Sequence, residues 1–172
     1  MLTNLAHVAG SSVMKKVLLN GLVVLVRPVS HVPLVSTQLW YHVGSKDESL
    51  KEKGKAHLIE HMLFKGTDRY SETDLAAIVK KHSGSCNAFT SYDYTTYVFD
   101  FPSQYWKTGL EITSNTMRNC RFEEQMLNSE LKAVISELKM NRDNYFKAVW
   151  QAMMSAIFVD HPYHYPVIGF KQ

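Results

Sequence analysis

Residues 55–67 read Lys55-Ala56-His57-Leu58-Ile59-Glu60-His61-Met62-Leu63-Phe64-Lys65-Gly66-Thr67. The pattern is helical from Lys55 to Lys65, and Gly66 stops it. Side chains four apart lie one turn apart on one helix face, so His57 and His61 present two imidazoles to one point. Glu60 lies within about 60–100° of both on the helical wheel, at 3.6 residues per turn. Leu58, Ile59, Met62 and Leu63 occupy the opposite side and are expected to bury against a sheet. The flanking sequence should therefore supply that sheet.

It does so on both sides. Upstream, Val17–Leu19 and Leu22–Val26 flank Asn20-Gly21, which predicts a two-residue hairpin turn with φ > 0 at both positions. Leu34–Val43 reads as a third strand, and residues 46–54 as a polar connection. Downstream, Ser71 precedes a helix running to about His82, with Asp74 three residues on as a short relative of the capping box. Ser85–Ser91 and Tyr94–Phe101 form a second hairpin around Tyr92-Asp93, with Tyr97, Phe99 and Phe101 alternating as in a half-buried strand. Three helical runs follow. Trp106, Leu110, Thr113 and Met117 share one face of the first, and Leu127, Leu131, Val134 and Leu138 one face of the second. The third covers about Tyr145–Phe158. This order predicts an α+β fold, with helices packed on a mainly antiparallel sheet. Trp40, Trp106 and Trp150 read as core.

Composition narrows the function. The 172 residues suit one domain, residues 1–172, and 45% are apolar, which excludes a disordered chain. A formal charge of +3 is too small for a nucleic-acid partner. No apolar run is long enough to span a membrane. Met1–Gly10 has neither the basic start nor the apolar stretch of a leader. Cys86 and Cys120 form no disulfide or zinc-knuckle pattern and read as free, partly buried thiols. The compartment is not legible; cytoplasm or periplasm fits a bacterial source. The tail His161-Pro162-Tyr163-His164-Tyr165-Pro166 runs to Gln172 without a closing element, which reads as a cut through a longer protein. His161 and His164 flank a proline-containing loop and do not share a helical face.

The chemistry centres on the first stretch. A catalytic zinc takes three protein ligands and keeps one position open for water. Two histidines at i, i+4 supply two ligands, and Glu60 is placed to take a proton from water. By itself the five-residue pattern is a moderate signal, since a surface helix with two histidines and a solvated glutamate explains it without metal. Glu130 and Glu137 lie two turns apart on one helix flank. Alone they also read as a solvated pair.

The run from His57 to Thr67 closely resembles the inverted zinc motif of the pitrilysin–insulinase peptidases, a family that includes the mitochondrial processing peptidase and many bacterial proteases. In that family the third zinc ligand is a glutamate about 75 residues past the second histidine, where Glu137 stands here. A further glutamate precedes it by seven residues, matching Glu130. Gly44-Ser45, Asn87-Ala88-Phe89-Thr90 with Tyr94-Thr95, and His161-Pro162-Tyr163 to Pro166-Val167-Ile168-Gly169 also look like family landmarks. Lys55 departs from the Leu that many members carry there. The resemblance runs from about Val13 to the end.

The resemblance implies one Zn2+ per chain, held by His57, His61 and Glu137, with Glu60 as general base. Glu130 would orient a ligand histidine or assist proton traffic. Asn87, Ala88, Phe89 and Thr90 would form the strand edge that receives a peptide substrate. It further implies a zinc-dependent endopeptidase whose site is completed by a second homologous domain, on the same chain or a partner subunit. Residues 1–172 alone are then expected to be weakly active or inactive, and an open edge invites homodimerisation of the fragment. The competing reading is a non-catalytic structural or substrate-binding subunit of a processing-peptidase-like assembly. Relatives of that kind have lost the motif, which is intact here. A zinc-stabilised domain without catalysis would need a fourth ligand.

Overall fold

The computed structural model describes residues 6–7, 13–29 and 31–170. Most of Met1–Gly10, read above for a leader, and the terminal Gln172 lie outside the described residues. The chain divides into two units, Met1–Pro33 and Leu34–Gln172.

In the first unit, β1 (Ala6–His7), β2 (Met14–Val17) and β3 (Val23–Val26) form an antiparallel sheet in that order. Val17 stands opposite Val23. The turn departs from expectation. Gly21 adopts φ 86°, but Asn20 does not have positive φ. The Leu18 N–H donates to Leu22 O and the Gly21 N–H to Leu18 O, both at 2.9 Å, so the loop holds three residues, Leu19 to Gly21. One left-handed glycine then suffices. Asn20 uses its side chain instead, accepting from the Leu22 N–H at 3.2 Å.

The second unit carries β4 (Leu34–Tyr41), α1 (Lys55–Met62), α2 (Glu72–Lys81), β5 (Ser85–Thr90) and β6 (Thr95–Pro102). Helices α3 (Trp106–Asn119), α4 (Glu124–Asp143) and α5 (Tyr145–Ile157) follow. Its sheet is antiparallel in the order β4-β6-β5, which leaves β5 at an edge. The fold is α+β, as the periodicities indicate. Tyr97, Phe99 and Phe101 alternate along β6 and are buried with Leu63 just after α1, Leu75 and Val79 of α2 and Ile112 of α3. Each such large apolar side chain contributes about 1.5–3 kcal/mol on burial. Ser71 caps α2 as expected: its Oγ accepts from the Asp74 N–H at 3.2 Å, and Asp74 Oδ2 accepts from the Ser71 N–H at 2.9 Å.

Several faces differ from the sequence reading. Helix α1 ends at Met62 and the chain continues as tight turns to Gly66; Met62 and Leu63 are buried, but Ile59 is exposed. A helix of two turns is too short to turn all four apolar residues inward. In α3 the buried residues are Gly109, Ile112, Thr113, Asn115 and Thr116, and Trp106 and Leu110 are exposed. The helix approaches the sheet on its small side, because a Cβ on Gly109 would lie 3.0 Å from the Phe101 ring. Trp40, Trp106 and Trp150 are all exposed by about half, so none is core. Trp40 packs on Phe89 and Tyr94 over the open sheet face. On α4 the apolar stripe is only half-buried with Leu131 exposed, and the one buried residue of the helix is Glu130. Cys86 is exposed and Cys120 half-buried; both thiols are free.

Candidate metal centre

Helix α1 and helix α4 bring the motif and the distant glutamates together. One ligand atom from each of His57, His61 and Glu137 lies within 4.8 Å of the others. Glu137 Oε2 stands 3.6 Å from His57 Nε2 and 3.8 Å from His61 Nε2. Donors on a tetrahedral zinc at about 2.1 Å would be spaced by about 3.4 Å. Little movement would turn this arrangement into a ligand set. Among the described residues, no other group of three such side chains converges.

Glu130 is buried two turns before Glu137 on the same flank of α4. Its Oε2 lies 3.0 Å from His61 Nδ1, and its Oε1 lies 2.9 Å from Lys65 Nζ. Burial pushes the Glu130 carboxyl up, but hydrogen bonds from Lys65 and His61 outweigh it and hold the group below its ordinary value. An ionised carboxylate can only accept, so His61 Nδ1 carries the proton. Its Nε2 then faces the point shared with Glu137 and His57. Burial holds the His57 imidazole below its ordinary value, against the opposing carboxylates of Glu137 and Glu60. That favours the neutral, metal-binding form. His57 Nδ1 is buried without a hydrogen-bond partner. The donor set fits zinc: two imidazoles and one carboxylate, with His61 already oriented by Glu130.

Glu60 is also buried, and Thr90 Oγ1 donates to its Oε2 at 2.6 Å. Thr90 ends β5. The register sets Ala88 opposite Tyr97 and Thr90 opposite Thr95, so both point to the face that α1 covers. Asn87 and Phe89 point to the other face. The segment Asn87–Thr90 therefore lies on an edge strand, with half its side chains toward α1 and a backbone open to pairing. His161 accepts from the Tyr163 N–H at 3.2 Å within a loop, and His161 and His164 do not join a metal cluster among the described residues.

Two contacts were not legible in the sequence. The sequence places Thr90 on a strand edge but does not show the bond from its hydroxyl to Glu60. Lys65 stands four residues after His61, and both meet Glu130, a partner that no local pattern marks.

A sequence profile described as Insulinase (Peptidase family M16) matches residues 23–170. The chain belongs to the insulinase family of peptidases, family M16. It is 30% identical over 150 residues to an uncharacterized zinc protease of Rickettsia felis, covering 87% of this chain and 36% of that protein. It is 31% identical over 158 residues to the zinc protease PqqE of Helicobacter pylori, covering 88% of this chain and 34% of that one. A solved structure of a protease from Helicobacter pylori superposes with a TM-score of 0.80 at 30% identity, over 91% of this chain and 38% of the other. The chain thus spans about a third of the length of the curated relatives it matches. No described helix is long and apolar enough to cross a membrane.

Proposed function

We propose that residues 1–172 are the zinc-binding domain of an endopeptidase, with His57, His61 and Glu137 holding one zinc ion and Glu60 acting as general base. The observation that carries this reading is the convergence of both Nε2 atoms on one oxygen of Glu137, at 3.6 and 3.8 Å. Bound zinc would supply Lewis acidity, making a water more acidic and offsetting negative charge on the scissile carbonyl.

The chain's own residues do the rest. Glu60 takes the proton of the attacking water and returns it to the leaving amine. Thr90 holds one carboxylate oxygen of Glu60 and so aims the group. Glu130 holds His61 by Nδ1, and Lys65 holds Glu130. The open edge of β5 at Asn87–Thr90 takes the peptide backbone as an added strand, with main-chain hydrogen bonds giving affinity across many sequences.

The substrate is a peptide or an unfolded protein segment. Such segments would close under a second homologous domain, on the same chain or a partner subunit. The greater length of the relatives supports this partner. So do the apolar residues Tyr145, Phe146, Val149 and Trp150, all exposed on α5, since exposed apolar patches of this kind mark interaction sites. Residues 1–172 alone would hold peptide poorly and hydrolyse it slowly.

The test is metal content and peptidase rate of the full-length protein and two variants. His57→Ala should lose zinc. Glu60→Gln should keep zinc and lose about 10²–10⁴-fold in rate. Equal zinc in His57→Ala would remove the ligand assignment, and a parental rate in Glu60→Gln would remove the general base.

A further inference from the structure

Helix α1 begins without a cap of its own. Its N-cap residue is Gly54, at φ 94°, with no side chain to accept from the first turn, and no acidic residue lies in that turn. The missing acceptor comes from the preceding loop. Glu48 Oε2 accepts from the Gly54 N–H at 2.9 Å, and Glu48 Oε1 accepts from the Ala56 N–H at 2.6 Å. One carboxylate thus satisfies two donors and sets a negative charge at the positive end of the helix.

The loop that carries Glu48 is itself fixed. The Ser45 N–H donates to Ser91 O at 3.1 Å and the Lys46 N–H to Tyr92 O at 3.0 Å. Lys46 Nζ pairs with Asp93 at 2.7 Å, and Asp47 Oδ2 accepts from the Gly44 N–H at 2.9 Å. Ser91 directly follows Thr90, whose hydroxyl holds Glu60. The end of β5 and the turn after it therefore hold α1 at two places: directly through Thr90 on its inner face, and at its start by way of the loop that carries Glu48. His57 is the residue next to Ala56.

We infer that Glu48 is a positioning residue for the metal centre: its double cap holds the first turn of α1, and with it His57, where the ligand atoms converge. The inference rests on the zinc reading above. The helix has eight residues, and isolated helices shorter than about 12–15 residues are marginal in water. Without the cap its first turn frays. His57 then samples positions away from Glu137, while His61, held by Glu130 and followed by buried Met62, stays in place. Affinity for metal falls because one of three ligands must be re-ordered on binding.

The test compares Glu48→Gln and Glu48→Ala with the parent in the full chain. Zinc dissociation constants come from competition with a chromophoric chelator, and backbone amide exchange is followed in α1 and α2 without metal. Glu48→Ala should weaken zinc binding by roughly 10–100-fold, the usual effect of losing a group that orients a ligand. Glu48→Gln keeps one acceptor and should fall between, a graded rescue that a general loss of stability would not give. Exchange should quicken in α1 and remain unchanged in α2. Zinc affinity within twofold of the parent in both variants would overturn the inference, as would unchanged exchange in α1. A parent that takes up no zinc would refute the zinc reading before any variant is compared, and the exchange rates would still decide the cap.

Discussion

Replacing Thr90 by valine removes one hydroxyl and keeps the branched shape at the end of β5. The lost contact is the 2.6 Å hydrogen bond to Glu60 Oε2, a length typical of O–H donors on carboxylates. Glu60 is only 9% exposed, so water cannot fully replace the donor. Hydrogen bonds to charged groups contribute about 1.5–3 kcal/mol to stability. Thr90 is half-buried, which favours the lower part of that range, about 2 kcal/mol. For a chain of this size the melting temperature should fall by roughly 4–8 °C. The assay is a double-mutant cycle of Thr90→Val and Glu60→Ala by urea unfolding, at neutral pH with a chelator present. The two substitutions should couple by about 2 kcal/mol, because either one removes the whole contact. Effects that add within about 0.5 kcal/mol would refute the claim that Thr90 acts on stability through Glu60. In the longer protein the same variant should lower kcat more than KM, since the backbone edge that meets the peptide is untouched.

Removing the α2 cap with Ser71→Ala should cost about 1 kcal/mol, measured by urea unfolding, and leave zinc content unchanged. A loss of zinc in that variant would show that α2 supports the metal centre more directly than its contacts indicate. The Asp93 carboxyl is held below its ordinary value by hydrogen bonds from Lys46 and then Tyr163. A depressed carboxyl adds stability that is present above its unfolded value of about 3.9 and lost as pH falls through its folded value. Parent and Asp93→Asn should therefore differ in unfolding midpoint near neutral pH and converge at strongly acidic pH. A difference that stays constant across that range would disprove the electrostatic account.

Element types were legible in the sequence because they depend on local period. The alternation of Tyr97, Phe99 and Phe101 and the Ser71-to-Asp74 cap correspond to single features of the fold. Element faces were less legible. Apolar periodicity placed Trp106 and Leu110 inside α3, but the helix packs through Gly109, Thr113 and Thr116. Small residues carry little hydrophobic signal, yet they let Phe101 approach the helix backbone closely. At the site, identity was legible and support was not. The spacing from His61 to Glu137 matches a family pattern, and the structure brings the two within 3.8 Å. The partners of that cluster come from a loop, a strand end and a turn, where no period operates. Glu48, Thr90 and Lys65 act by reaching across the fold, and only three-dimensional proximity identifies those contacts.

The same division explains how a two-turn helix can hold two ligand histidines. Too short to be stable by itself, α1 owes its geometry to what surrounds it. Met62 and Leu63 anchor its C-terminal end in the core, and the Met62 carbonyl meets Cys120 Sγ at 3.4 Å. Glu48 holds its start, Thr90 its middle, and Glu130 one of its imidazoles. Each anchor comes from a different segment, so a shift in any one of them moves part of the motif relative to Glu137 on α4. A substitution in one of these anchors should therefore alter metal affinity according to which ligand it holds: Glu48 through His57, and Glu130 with Lys65 through His61. The motif supplies the donor atoms, and the tertiary fold determines how closely they meet.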